Sequence, residues 1–487
     1  MSHGPHLIAY ADRLGGDLRG LRALLDGPLA GAFDGVHLLP FFTPFDGTDA
    51  GFDPDDHTAV DPRLGGWDGV RALADDRAVM ADVIVNHVSA RSAAFLDVRE
   101  RGDASPSAPM FLTLSSIFPD GATEEDLARI YRPRPGLPFT AMRLGGRQRL
   151  VWTTFTPDQV DLDLRDPTAW DYVTSVIDHL VDAGVTLLRL DAVGYVGKVA
   201  GTSCFMTPQA FDVMRRISDH AHARGAQVLV EVHGHHTEQI AVAAQVDLVY
   251  DFALPPLVLH ALTAGDLAPL AHWYDIRPRN AVTVLDTHDG IGIIDVGPGG
   301  AGEPGILEPA QIDTLVETIH RNSGGGSRLA TGAAASNLDL YQVNCTFYDA
   351  LARDDDRYAL ARLIQLFMPG IPQVYYVGLL AGTNDLDLLG ETGVGRDVNR
   401  HRYTDAEIAD ELRRPVVRDV LAAVRLRREH PAFAGSPSWE FDGTTARSLW
   451  RCGEEEAALD LDVRDASYRV GVREADGSWR VVLTARG

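Results

Sequence analysis

Four stretches of the sequence put charged or imidazole side chains at the end of an apolar run. "TLLRLDAVGY", Thr186 to Tyr195, carries Arg189 and Asp191 in a segment that otherwise reads as a strand buried on both faces. Residues two apart in a strand share a face, so the guanidinium and the carboxylate should project side by side. The cation would keep the carboxylate ionised and oriented, as a nucleophilic or electrostatic carboxylate requires. A buried structural ion pair fits this stretch equally well, so the other runs must decide. "VMADVIVNH" ends in Asn86 and His87, "QVLVEVH" carries Glu231 and His233, and "AVTVLDTHDG" carries His288 and Asp289. One such residue is ordinary where a strand end meets solvent, but four strand ends bearing Asp, Glu or His make coincidence a poor account. Three acids with histidines, no cysteine among them and no metal-ligand spacing, suit glycosyl chemistry. A retaining mechanism needs two carboxyl groups about 5–5.5 Å apart, one as nucleophile and one as acid then base. Asp191 would attack the anomeric carbon, and Glu231, its pKa raised by crowding, would protonate the leaving oxygen. Asp289 would stabilise the oxocarbenium-like transition state and hold sugar hydroxyls.

The elements that must position these residues follow one grammar. Strand-like runs at Leu7–Tyr10, Gly35–Phe42, Val79–His87, Thr186–Tyr195, Gln227–His233, Leu248–Pro255, Ala281–Gly290 and Ile371–Gly378 alternate with helical segments such as 67–73, 166–183, 208–224 and 355–367. Eight apolar strands in strict alternation with helices predict an α/β protein with a (β/α)8 TIM barrel, whose catalytic groups sit at the strands' C-terminal ends. The competing doubly wound open sheet lacks support, since no GxGxxG follows the first strand. The expected barrel is residues 1–87, 166–290 and 352–431. Residues 88–165 are too long for a loop and contain their own apolar runs, so they are expected to form one inserted domain. A second, 291–351, includes the glycine-rich "RNSGGGSRLATGAAASNLDLYQ"; without GK[ST] it reads as a mobile loop over the site rather than a phosphate cradle. Residues 432–487 read as a small C-terminal β domain with a hairpin turn at Asp476-Gly477.

Composition narrows the function classes. The formal charge is −25, from 69 acids against 44 Lys and Arg. Such a surface repels phosphate backbones and acidic lipid, so no nucleic-acid or membrane partner is expected. No run of about 18 apolar residues could span a bilayer, and the first residues lack the basic-then-apolar shape of a signal peptide, so a cytoplasmic location is expected. Cys204, Cys345 and Cys452 are too scattered for a disulfide framework or a zinc site.

"ADVIVNH", "LLRLDAVGY", "VEVH" and "VLDTHDG" resemble the four short regions of the α-amylase superfamily (glycoside hydrolase family 13). Further stretches, including "LLPFFTPFDGTDAGFDPDDHT", "IYRPRPGLPFT", "VYDFALPPLVLHAL", "ATGAAASNLDLYQVN" and "GRDVNRH", are similar to its sucrose phosphorylase subgroup. The resemblance spans about Leu7 to Pro431. It implies Asp191 as nucleophile, Glu231 as acid/base and Asp289 as transition-state stabiliser, with Asp49, His87, Arg189, His288 and Arg396 holding the glucosyl unit. Phe52 and Phe155, which by themselves read as core, become hydrophobic walls of that subsite. Arg134 and Tyr341 look like phosphate-side contacts and Asp339 and Gln342 like fructose-side ones, and Tyr195, His233 and Leu338 complete the expected substrate-binding set. The implied substrates are sucrose, phosphate, glucose 1-phosphate and fructose, with no cofactor and a homodimeric assembly. A mouth with three carboxylates repels phosphate unless a guanidinium is supplied, and Arg134 on a proline-stiffened loop can supply it.

Two features stand outside this pattern. Asn86 matches a calcium ligand of amylases, yet no metal is expected in this subgroup. After Glu231 the chain reads "VHGHHTE"; His235 and His236 could ligate a metal, but adjacent histidines on a loop are expected to point different ways. The alternatives left open are phosphorolysis of a related glucoside (sucrose 6'-phosphate, glucosylglycerol or glucosylglycerate), amylase-like hydrolysis, and an inactive sugar-binding protein.

Overall fold

The computed structural model describes residues 4–47, 49–133, 136–332 and 342–486. Eight strands, β1 (His6–Ala9), β2 (Gly35–Leu38), β3 (Ala78–Ile84), β4 (Leu187–Asp191), β5 (Gln227–Val230), β6 (Leu248–Asp251), β7 (Ala281–Thr283) and β8 (Ile371–Tyr375), close into one barrel. Neighbours follow chain order, β8 returns to β1, and all pairings are parallel. The fold is therefore the expected (β/α)8 barrel. Its strands are apolar on both faces because one side fills the barrel and the other packs under the helices.

Local sequence starts the helices where the barrel needs them. Pro167–Asp182 opens with the Asp166 side chain accepting from the Thr168 N–H, and Pro208–Ala223 with Thr207 accepting from the Ala210 N–H. In both, proline occupies the first turn, where its missing N–H costs nothing.

The ladder stops sooner than the apolar runs imply. β3 ends at Ile84 and β7 at Thr283, so Asn86, His288 and Asp289 lie on loops beyond the barrel strands and His87 opens a short strand outside the barrel. His87–Ser89 instead pairs antiparallel with Gln159–Asp161, tying the excursion between β3 and β4 to the barrel mouth. In that excursion the hairpin Phe139–Leu144/Arg147–Trp152 packs on a satellite core of Leu112, Ile117, Phe118 and Ile130. Between β7 and β8, Ile291–Gly292 pairs with Gln342–Val343. The glycine-rich run there is partly helical: Gly324 and Gly325, at φ 62° and 87°, separate helix Pro309–Asn322 from helix Gly326–Thr331. The rest of that run, 333–341, lies outside the described residues.

The chain ends in five antiparallel strands, Ser436–Asp442, Thr445–Cys452, Glu455–Asp462, Ser467–Arg473 and Trp479–Thr484, paired in chain order. Trp439 and Trp450 donate their indole N–H groups to the Phe367 carbonyl at 3.3 and 2.8 Å, docking this sheet on helix Asp355–Phe367. Among the described residues, no helix is long and apolar enough to cross a membrane.

Candidate active site

Asp191 is the last residue of β4, and Glu231 follows directly on β5, the adjacent strand. Arg189 sits beneath both, 2 % exposed, with Nη1 at 3.1 Å from Asp191 Oδ1 and Nη2 at 2.8 Å from Glu231 Oε1. It also donates to Asp82, which faces it in register on β3 and is fully buried. Asp82 is held on its other side by His37 Nε2 at 3.0 Å. One guanidinium thus serves three carboxylates rather than Asp191 alone. This alters the expected electrostatics. Burial, and then Glu231 with a hydrogen bond between the two carboxyl groups, push Asp191 well above the ordinary carboxylate range, and Arg189 does not overcome them. The neutral form of Asp191 is thus favoured.

Asp289 has the opposite environment. Burial alone would raise it, but Arg396 (Nη1 at 2.7 Å), His288 (Nε2 at 3.7 Å) and Arg400 (Nη2 at 3.9 Å) hold it far below the usual carboxylate range. The ring of His288 stacks on Phe52, centroids 4.7 Å apart and planes at 11°, and burial pushes its pKa down to about 3. It is a neutral imidazole at pH 7, able to donate and accept. His87 is likewise lowered by burial, with Nε2 3.1 Å from the Phe52 carbonyl oxygen. Phe155 bridges His87 (5.3 Å) and Tyr195 (5.1 Å) in an aromatic wall. Opposite, Asp49 Oδ2 accepts from Gln159 Nε2 at 3.4 Å.

His233 stacks on Phe252 at 3.8 Å and has Nδ1 3.0 Å from Asp295 Oδ2. Burial opposes its protonation, yet Asp295 raises its pKa above the ordinary value. Gln342 Nε2 lies 3.3 Å from its other ring nitrogen. The close packing requires Gly292, where a Cβ would stand 2.1 Å from Asp295 Oδ2. Glu231, His233 and Asp289 bring their ligating atoms within 4.8 Å of one another. Each has a partner of opposite charge within the protein, Glu231 in the shared Arg189, His233 in Asp295 and Asp289 in Arg396.

These groups line one cavity of about 1530 Å³ at the C-terminal mouth of the barrel. Every described residue expected at the site lines it except Arg189, which lies beneath Asp191 and Glu231. Arg134, Leu338, Asp339 and Tyr341 lie outside the described residues.

Sequence reasoning passed over Asp82, Asp295 and Arg400. Asp82 carries the same signal that exposed Arg189, a charge inside an apolar strand. Asp295 is an acid in the apolar run "IGIIDVG", and Arg400 follows Arg396 by one helical turn. The histidine pair also differs from expectation. The rings of His235 and His236 lie side by side, centroids 4.1 Å apart. Both nitrogens of His235 are engaged, with Thr237 Oγ1 at 2.8 Å and the Pro304 carbonyl oxygen at 3.1 Å. Burial lowers His236 to about 4. Asn86 gives its side-chain oxygen to the Lys198 ammonium at 3.0 Å, so a protein cation stands against it.

The family model described as "Alpha amylase, catalytic domain" matches residues 8–253. Over 462 residues the chain is 57 % identical to a sucrose phosphorylase of Agrobacterium vitis, covering 94 % of this chain and 95 % of that protein. Over 466 residues it is 53 % identical to a sucrose phosphorylase of Bifidobacterium adolescentis, with 95 % and 92 % covered. The crystal structure of sucrose 6F-phosphate phosphorylase from Thermoanaerobacter thermosaccharolyticum superposes with a TM-score of 0.91 at 34 % identity, over 99 % of both chains.

Proposed function

Because the chain belongs to the α-amylase family, and within it to the sucrose phosphorylases, we infer that it transfers the glucosyl unit of sucrose to phosphate, giving α-D-glucose 1-phosphate and D-fructose. The observation that carries the chemistry is that one guanidinium, Arg189, reaches both Asp191 and Glu231, at 3.1 and 2.8 Å, and sets the two carboxyl groups side by side on adjacent strands. Carboxyl groups that close leave no room for a water between them, which favours retention over inversion.

In this reading Glu231 carries the proton, and Asp191 is the carboxylate, when the glycosidic oxygen enters the site. Asp191 attacks the anomeric carbon while Glu231 protonates the departing fructosyl oxygen. Fructose leaves, phosphate enters, and Glu231 takes the proton of the attacking phosphate as its oxygen displaces Asp191. Two inversions give net retention. Asp289, kept ionised by Arg396 and Arg400, favours positive charge at the anomeric centre in both steps. His87, Phe52, Phe155 and Tyr195 wall the glucosyl unit, and Arg134 compensates the phosphate charge at the acceptor side. Other acceptors that reach the glucosyl-enzyme are expected to be glucosylated too. A cytoplasmic location and a homodimer belong to the same proposal, and the homodimer rests on the family resemblance.

Incubation with sucrose, with and without millimolar phosphate, tests the reading. Glucose 1-phosphate should dominate when phosphate is present. Free glucose as the main product would move the protein to the hydrolases, and turnover of a related glucoside instead of sucrose would move it to a neighbouring specificity.

A further inference from the structure

Lys198 is the only lysine among the 44 Lys and Arg residues of the sequence. It is also buried, 6 % exposed, in a chain whose other cations are all arginine. Its ammonium meets three oxygens: Asp161 Oδ2 at 2.7 Å, Asn86 Oδ1 at 3.0 Å and the Tyr195 carbonyl. The Trp152 ring covers it, 5.5 Å away. A compact ammonium with three rotatable donors can satisfy three oxygens converging on one point, whereas a planar guanidinium spreads its N–H groups in a fixed fork.

The three oxygens come from separate parts of the chain. Asp161 lies in the excursion between β3 and β4, Asn86 follows the end of β3, and Tyr195 sits in the turn after β4. Each adjoins one wall of the glucosyl pocket. Asn86 precedes His87. Asp161 accepts from the Thr154 N–H at 3.0 Å, and Thr154 precedes Phe155. Tyr195 is itself a wall, and its ring meets Phe155 as Phe155 meets His87.

We infer that Lys198 is a positioning residue for glucosyl transfer, whose ammonium holds the excursion, the end of β3 and the turn after the nucleophile at one point and so fixes the His87–Phe155–Tyr195 wall. The inference rests on the glucosyl pocket assigned above. A buried ion pair that merely stabilised the fold would make no demand on this wall.

Lys198→Met keeps the aliphatic stem and removes the charge. At temperatures where circular dichroism shows the variant fully folded, kcat/KM for sucrose should fall about 100-fold, the order that a displaced substrate wall produces. KM should rise by a larger factor than kcat falls, and Lys198→Arg should not restore it. A folded variant within about twofold of the unaltered enzyme, or a loss that tracks only the unfolded fraction, would overturn the inference. Should Lys198→Met fail to fold, Asn86→Ala decides, since it withdraws one of the three oxygens and leaves the ammonium in place. KM for sucrose should again rise by a larger factor than kcat falls, and unchanged kinetics in the folded variant would overturn the role. If the unaltered enzyme turned over no sucrose, the functional reading would fail; if it did and Lys198→Met matched it, only the positioning role would.

Discussion

Asp82 lies directly opposite Arg189 in the β3–β4 pairing and accepts from the same guanidinium nitrogen that reaches Asp191. Burial would raise Asp82, but Arg189 and His37 keep it ionised. Its fixed negative charge in turn helps to raise Asp191.

Asp82→Asn should therefore move the acid limb of the kcat/KM profile for sucrose to lower pH. The sign follows from Asp191: removing a neighbouring negative charge lowers its pKa, so the working carboxylate survives into more acid solution. The kcat/KM value at the optimum should drop about tenfold, the order of one lost charge-assisted hydrogen bond. A pH–rate series checks both, and a limb that stayed put or moved upward would refute the coupling.

His233 and Asp295 predict a pH-dependent stability. The folded-state pKa of His233 is raised, so its contribution is present below the unfolded value of about 6.5 and is lost as pH rises through the folded value. Asp295→Asn removes that contribution. Its destabilisation relative to the unaltered protein should be larger near pH 6 than near pH 9, measured as the difference in Tm. Equal differences at the two pH values would show that the pair carries no proton linkage.

The barrel was largely legible from periodicity. Uninterrupted runs such as "LLRLD" and "IPQVYY" can be buried only in a two-sided parallel sheet, and alternation with helices closes it. Asp191, Glu231 and Asp289 stood out because ionised groups do not end apolar runs by chance four times over. Arg396 gave no such signal in "GRDVNRH"; only the fold brings it 2.7 Å from Asp289. The sharing of Arg189 among Asp82, Asp191 and Glu231 was hidden for a related reason. Period-two reasoning finds neighbours along a strand, whereas Asp82 and Glu231 reach Arg189 across the sheet, and that depends on register.

Arg134 carries the acceptor side of the account. Phosphate bears about two negative charges near pH 7 and must enter a mouth that already holds three carboxylates. Arg134→Ala should raise the KM for phosphate well beyond its effect on glucosyl-enzyme formation, measured by fructose release in a rapid-quench burst, and should increase the share of hydrolysis. An unchanged phosphate KM would remove Arg134 from the acceptor site.

The most direct test is the covalent intermediate itself. A Glu231→Gln variant, given an activated α-glucosyl donor that needs no acid to depart, should accumulate glucosyl-enzyme. After quenching and digestion, mass spectrometry should find one glucosyl residue on the peptide containing Asp191, and Asp191→Asn should abolish it. Turnover of that donor by Asp191→Asn at the unaltered rate, or a glucosyl group on any other peptide, would contradict the assignment of Asp191 as the nucleophile.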